Sequence, residues 1–141
     1  VRKVLEGLRK VDIINDLIDM KLEDLEIYNK SLEIGEKVWK LTLTWDFFAK
    51  DTIGKQLVRS IDSVAANISE GFGRFHYKDR QRFNYYSRGS LYESKTWLAK
   101  AAARDLLDQN EYEEMVRFIN DLGVKLNNYI TATAKQIKKK T

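Results

Sequence analysis

The run Asp51–Arg74, DTIGKQLVRSIDSVAANISEGFGR, decides the fold class. Ile53, Leu57, Ile61, Val64 and Ile68 recur at intervals of three and four, the period that puts apolar side chains on one side of a helix. Asp51 is placed to cap this helix at its start. Gly71 and Gly73 are placed to end it in the left-handed conformation that glycine adopts freely. A helix with one apolar stripe must bury that stripe against other elements, so the flanking sequence has to supply partners.

It does so on both sides. Upstream, Ile27, Ile34, Val38, Leu41, Trp45 and Phe48 keep helical spacing, and Leu25, Tyr28, Leu32 and Trp39 widen the stripe. This predicts a helix of about six turns over residues 25–48. Downstream, a third helix is predicted from Tyr77–Asp79 to about Leu107, with Phe83, Ser87, Ser90, Ser94, Leu98 and Ala101 inside and Tyr86, Leu91 and Trp97 flanking. A fourth follows Asn110, with Met115, Phe118, Leu122, Leu126, Tyr129, Thr133 and Ile137 on its inner side, and Lys138, Lys139 and Lys140 form a solvated tail. The 141 residues contain no proline and only seven glycines, so regular structure has few reasons to stop. No segment reads as a strand. The expected fold is all-α, an up-down-up-down four-helix bundle over residues 21–141. Residues 1–20 are expected to form a helical extension. Val4, Leu8, Val11, Ile18, Leu22 and Leu25, with Asn15 in the series, fit a coiled-coil seam with one polar position. They fit an amphipathic helix lying on the domain equally well, and residues 1–19 are either native or added.

At 43% hydrophobic and 33% charged residues, the chain is too apolar for disorder and too evenly charged for a membrane protein. It has no uncharged apolar run near the ~20 residues of a membrane span and no secretory pattern at its start, so a cytoplasmic protein without a membrane partner is expected. The absence of cysteine removes disulfides, thiolate catalysis and cysteine-ligated metals. The single histidine, His76, cannot build a histidine metal cluster and reads as a solvated loop residue. There is no Glu-x-x-His pair for a di-iron bundle, no P-loop and no G-x-G-x-x-G. The expectation is a non-enzymatic protein with no catalytic residue, metal or cofactor.

Charge is unevenly placed. Residues 1–70 carry 11 Lys and Arg against 13 Asp and Glu, whereas residues 71–141 carry 14 against 8. From Arg74 to Arg104 eight basic residues face two acids, Asp79 and Glu93, a local excess suited to a polyanion. Small residues also cluster: Ser60, Ser63, Ala66, Asn67 and Ser69 on the second helix, and Ser87, Gly89, Ser90 and Ser94 on the third. They predict close approach of the two backbones, with Asn67, Glu70 and Arg88 as an internal polar network that fixes register, or as a recognition pocket.

The run NISEGFGR, Asn67–Arg74, followed by SRGSLYE, Ser87–Glu93, resembles the four-helix-bundle proteins encoded within intervening sequences of bacterial 23S rRNA genes, the S23 ribosomal protein family. That family is similar to the accessory variability determinants of diversity-generating retroelements. EDLEIYNKS, Glu23–Ser31, resembles the usual family start, so the likeness spans roughly residues 21–138. The resemblance implies a short bundle assembling as a ring-like homopentamer, and a basic surface that in the retroelement relatives engages reverse transcriptase and nucleic acid. Arg74, Arg82 and Arg88 lie in or beside the matching motifs.

The functional expectation is an oligomeric adaptor that holds RNA or DNA phosphates on the third helix. Arg74, Lys78, Arg80, Arg82, Arg88 and Lys100 supply charge, and Tyr85 a stacking ring. The alternative is a scaffold or docking platform, such as a reverse-transcriptase accessory protein. In that reading Tyr85, Gly89, Tyr92, Thr96, Ala99 and Ala103, aligned on the outer side of the third helix, form a subunit interface.

Overall fold

The computed structural model describes residues 20–139. The extension expected over residues 1–20 lies, apart from Met20, outside them, as does Lys140. Four long helices follow in order: α1, Glu26–Thr42; α2, Lys55–Phe72; α3, Tyr77–Ala103; and α4, Gln109–Lys139. The described residues form no strand.

The stripe read from α2 is the centre of the core. Leu57, Ile61, Val64 and Ile68 are fully buried and meet Ile34 and Val38 of α1, Leu98 of α3, and Ile119, Leu122 and Leu126 of α4. α2 does not start at Asp51. The Asp46 carboxylate accepts from the Ala49 N–H at 2.8 Å, which opens a helical turn Phe47–Ala49 and a π-helical turn Lys50–Gly54 running directly into α2. Asp51 sits inside that π turn and pairs with Lys55 at 2.8 Å.

α1 is shorter than the pattern predicts. The Leu41 carbonyl accepts from the Thr44 N–H and hydroxyl at 3.1 and 2.7 Å instead of from a residue one helical turn on, while the Thr42 hydroxyl donates to the Trp39 carbonyl at 2.9 Å beside the Leu43 N–H. The chain then turns, so Trp45 still enters the core while Phe48 does not, and Phe47 and Phe48 are 80% and 77% exposed. Leu32 and Trp39 also face outward rather than widening the buried stripe.

The two glycines after Ser69 work differently from the expectation. No described glycine has positive φ, and Gly73 caps α2 at φ −75°. Gly71 is required by proximity: a Cβ there would lie 3.0 Å from Phe83 Cβ and 3.1 Å from the Arg80 carbonyl oxygen. The left-handed residue is instead Asp105, φ 57°. It ends α3 four residues before Leu107, with Leu106 N–H donating to Ala101 O at 3.0 Å and Asp105 N–H to Ala102 O at 3.1 Å. These are the two bonds of a Schellman motif. Asp108 then caps α4, its carboxylate accepting from Glu111 N–H at 2.8 Å. At the other end α4 runs through Lys138 and Lys139, which are helical rather than a frayed tail.

The inner side of α3 is polar. Gln81, Asn84, Ser87 and Ser94 are buried beside Leu91, Leu98 and Ala101, whereas Phe83 and Ser90 are half-buried. Ser87 donates to Val64 O at 2.9 Å, and the Ser94 and Ser60 hydroxyls lie 3.0 Å apart. These contacts realise the close α2–α3 approach. Gln81 donates to Ile130 O at 2.9 Å, and Asn84 to Gln81 Oε1 and Thr133 Oγ1 at 3.0 and 3.3 Å. Buried polar groups with such partners tie α3 to α4 in one register.

Candidate nucleic-acid interface

α3 rises about 1.5 Å per residue, so Lys78 and Lys100 stand about 33 Å apart along one helix. Lys78, Arg82, Tyr85, Gly89, Tyr92, Thr96, Ala99, Lys100 and Ala103 are all exposed, as the helical spacing requires of a face opposite Ser87, Leu91 and Leu98. Lys78 and Lys100 form no ion pair among the described residues, and Arg82 reaches Asp79 only at 3.5 Å. An exposed pair of that kind is worth at most about 1 kcal/mol and leaves the guanidinium free to exchange partners.

Arg74 and Arg82 come together at the corner between α2 and α3. Their guanidinium carbons lie 4.8 and 5.5 Å from the centroid of the Phe83 ring, a cation–π arrangement that holds two positive groups near one point. Arg74 also pairs with Glu70 at 2.6 Å. His76 occupies the exposed N-cap of α3, edge-on to Phe75.

Arg80 departs from the expected set. Its guanidinium donates to the Phe72 carbonyl at 3.1 Å, completing the C-terminus of α2, where a cation also complements the helix dipole. The same group lies 5.3 and 5.2 Å from the Phe72 and Tyr77 ring centroids. Burial pushes the Tyr129 hydroxyl above its ordinary range, against a downward pull from the adjacent Arg80 charge. Arg80 therefore fastens α2, α3 and α4 rather than extending into solvent.

The proposed network of Asn67, Glu70 and Arg88 does not form. Asn67 donates to Ser63 O at 2.8 Å and Glu70 takes Arg74, both within reach along their own chain segment. Arg88 points to the opposite flank of α3, where its guanidinium lies 5.7 Å from the Tyr92 centroid and lines a groove against α4. The network that does fix register, Ser60–Ser94, Ser87–Val64 and Gln81–Asn84–Thr133, was signalled only in part by the serines.

This geometry separates two arginines of equal charge. Arg88→Ala is expected to change stability by no more than about 0.5 kcal/mol, as for a surface residue without a buried partner. Arg80→Ala, which strands the Phe72 carbonyl and removes packing from three rings, should cost about 1–3 kcal/mol. Urea denaturation midpoints of the two variants check the contrast, and equal losses would contradict it.

The described residues contain no group of three or more His, Cys, Asp or Glu side chains placed to hold a metal ion, and no helix long and apolar enough to cross a membrane. No curated protein matches the chain. A crystal structure of a protein of unknown function from the S23 ribosomal protein family of Bacteroides thetaiotaomicron is similar, with a TM-score of 0.67 and 21% identity over 74% of this chain and 97% of that one. The profile described as 23S rRNA-intervening sequence protein matches residues 23–128. That span holds α1, α2, α3, the Phe83 corner and most of α4, and the chain belongs to the 23S rRNA-intervening sequence protein family.

Proposed function

We propose that this protein is a non-enzymatic adaptor that binds RNA or DNA through phosphate contacts on the exposed face of α3 and acts as a homo-oligomer. The observation that carries the reading is the set of exposed cations on one rigid element, Lys78 and Lys100 without ion pairs among the described residues and Arg82 in a loose one, with Arg74, paired to Glu70, gathered beside Arg82 on Phe83 at the end of that element. Such a surface meets phosphates with little regard to sequence. Repeating it around a ring of identical copies, the homopentamer of the family being the geometry in view, raises avidity without new contacts. Exposed Phe47, Phe48, Trp39 and Leu43 at the α1–α2 corner support self-association, because apolar surface of this kind is usually covered.

A second reading is favoured by the uncharged strip within the same face. A Cβ on Gly89 would meet nothing within 4 Å, so this glycine answers to no contact among the described residues. The strip suits a protein partner, with a reverse transcriptase as the specific case, and the adaptor is then a docking scaffold.

Fluorescence anisotropy of the full chain with labelled single-stranded and duplex oligonucleotides at low salt decides between them. The nucleic-acid reading expects saturable binding of both probes. Absence of binding to either would leave the scaffold.

A further inference from the structure

The flank of α3 that carries Arg88 faces α4 across a groove of about 160 Å³. Arg88, Tyr92 and Lys95 line one wall, and Asn120, Val124 and Asn127 the other. Arg88 and Lys95 both lie over Tyr92, 5.7 and 5.6 Å from its ring centroid. Neither makes an ion pair among the described residues, and no carboxylate lines the groove. The Tyr92 ring is 56% exposed despite its two neighbours. Between the two asparagines sits Gly123, whose added Cβ would make only ordinary contact with Leu91 at 3.6 Å. Packing therefore does not demand glycine there. Its missing side chain keeps the groove open, although glycine in a helix interior is unfavourable.

These parts match the chemistry of one nucleotide. A tyrosine face is a sequence-tolerant platform for a base, flanking cations suit the phosphates on either side of it, and primary amides can both donate to and accept from a base edge. Only an unpaired base can use them, because in a duplex both faces of each base are already stacked. We propose that the α3–α4 groove is a nucleotide subsite for single-stranded nucleic acid, with the base on Tyr92, phosphates at Arg88 and Lys95, and the base edge toward Asn120 and Asn127. The proposal rests on the nucleic-acid reading above and adds to it a preference for single strands. The groove adjoins the Lys78–Lys100 face through Tyr92, which belongs to both, so one strand can follow the charged face and place a base in the groove.

The test is anisotropy of the full chain with a labelled oligodeoxythymidine of about 20 nucleotides and with a duplex of equal length. Tyr92→Ala should weaken single-strand binding about tenfold, the effect of losing one stacked base. Tyr92→Phe, which keeps the ring, should restore it. Asn127→Asp, which puts a negative charge beside the base without touching the core, should weaken the single strand more than the duplex. Equal losses on both probes, or no loss on the single strand, with wild-type binding intact, would overturn the subsite and leave the phosphate-binding face standing. If the wild-type chain binds neither probe, both readings fall together.

Discussion

Trp45→Ala is expected to remove about 3–5 kcal/mol of folding stability, the range for deleting a buried aromatic side chain. Trp45 is 6% exposed and packs in the core cluster with Leu41, Ile53 and Leu107. Its indole N–H donates to the Leu106 carbonyl at 2.8 Å. Leu106 is also the residue whose N–H closes the Schellman turn on Ala101. One side chain thus joins the α1–α2 connection to the α3–α4 connection, two segments 61 residues apart. Alanine would leave a cavity and a carbonyl without its donor, whereas Trp45→Phe keeps much of the packing and loses mainly the bond, about 1 kcal/mol. Urea denaturation gives both values. A loss under about 1 kcal/mol for the alanine variant would mean that the two connections are not coupled through this ring.

Combined replacement of Lys78, Arg82 and Lys100 with alanine is expected to lower nucleic-acid affinity about 10²-fold near 0.1 M salt, for single strands and duplexes of any sequence. The magnitude follows from three lost phosphate contacts, each contributing about 0.9 to the slope of log affinity against log salt on duplex DNA. Fold stability should change little, because Lys78 and Lys100 have no ion pair among the described residues and the Arg82–Asp79 contact is long and exposed. The proposed homo-oligomer should persist, since the charges flank the uncharged strip of Tyr85, Gly89 and Thr96 rather than compose it. Anisotropy, together with light scattering on the same samples, checks both halves of the expectation.

How far the sequence could be read depended on the kind of signal. Apolar spacing is directional, so the α2 stripe from Leu57 to Ile68 emerges as expected, and so do Met115, Leu122, Leu126 and Thr133 on α4, whereas Ile119 and Ile130 take the buried places beside Phe118 and Tyr129, which are half-buried. Chain breaks were harder. α1 stops at Thr42 with no proline nearby: after the last helical bond, Leu43 N–H to Trp39 O, tight turn bonds and the Thr44 hydroxyl take the Leu41 and Thr42 carbonyls, and Asp46 caps the next turn. α3 ends on an aspartate in the left-handed conformation, a position where glycine is the usual marker. Gly71 reads as a helix end in the sequence, yet it lies inside α2 with negative φ, and its reason is the approach of Phe83, which depends on a second helix.

The interior of α3 misled for a related reason. Gln81 and Asn84 look like surface residues, but once buried their amide N–H groups donate to Ile130 O and Thr133 Oγ1 on α4 and to Gln81 Oε1, while Asn84 Oδ1 has no partner among the described residues. Charge carries no direction in a sequence, so Arg80 and Arg82 were grouped together. Two residues apart on a helix they point about 200° from each other, one toward the end of α2 and the other into solvent. The α3–α4 groove was legible only by half. Arg88, Tyr92 and Lys95 share a neighbourhood in the sequence, but Asn120 and Asn127 join them only through the fold.

The salt dependence of binding is the most direct readout of phosphate contacts on α3. Anisotropy titrations of the wild-type chain and of the Lys78, Arg82 and Lys100 triple alanine variant, each at several salt concentrations on the same duplex, give two slopes of log affinity against log salt. The wild type is expected to show a steep negative slope and the variant one shallower by about 2.7, one increment of about 0.9 per phosphate released. Parallel slopes, or wild-type binding indifferent to salt, would contradict phosphate binding at these residues.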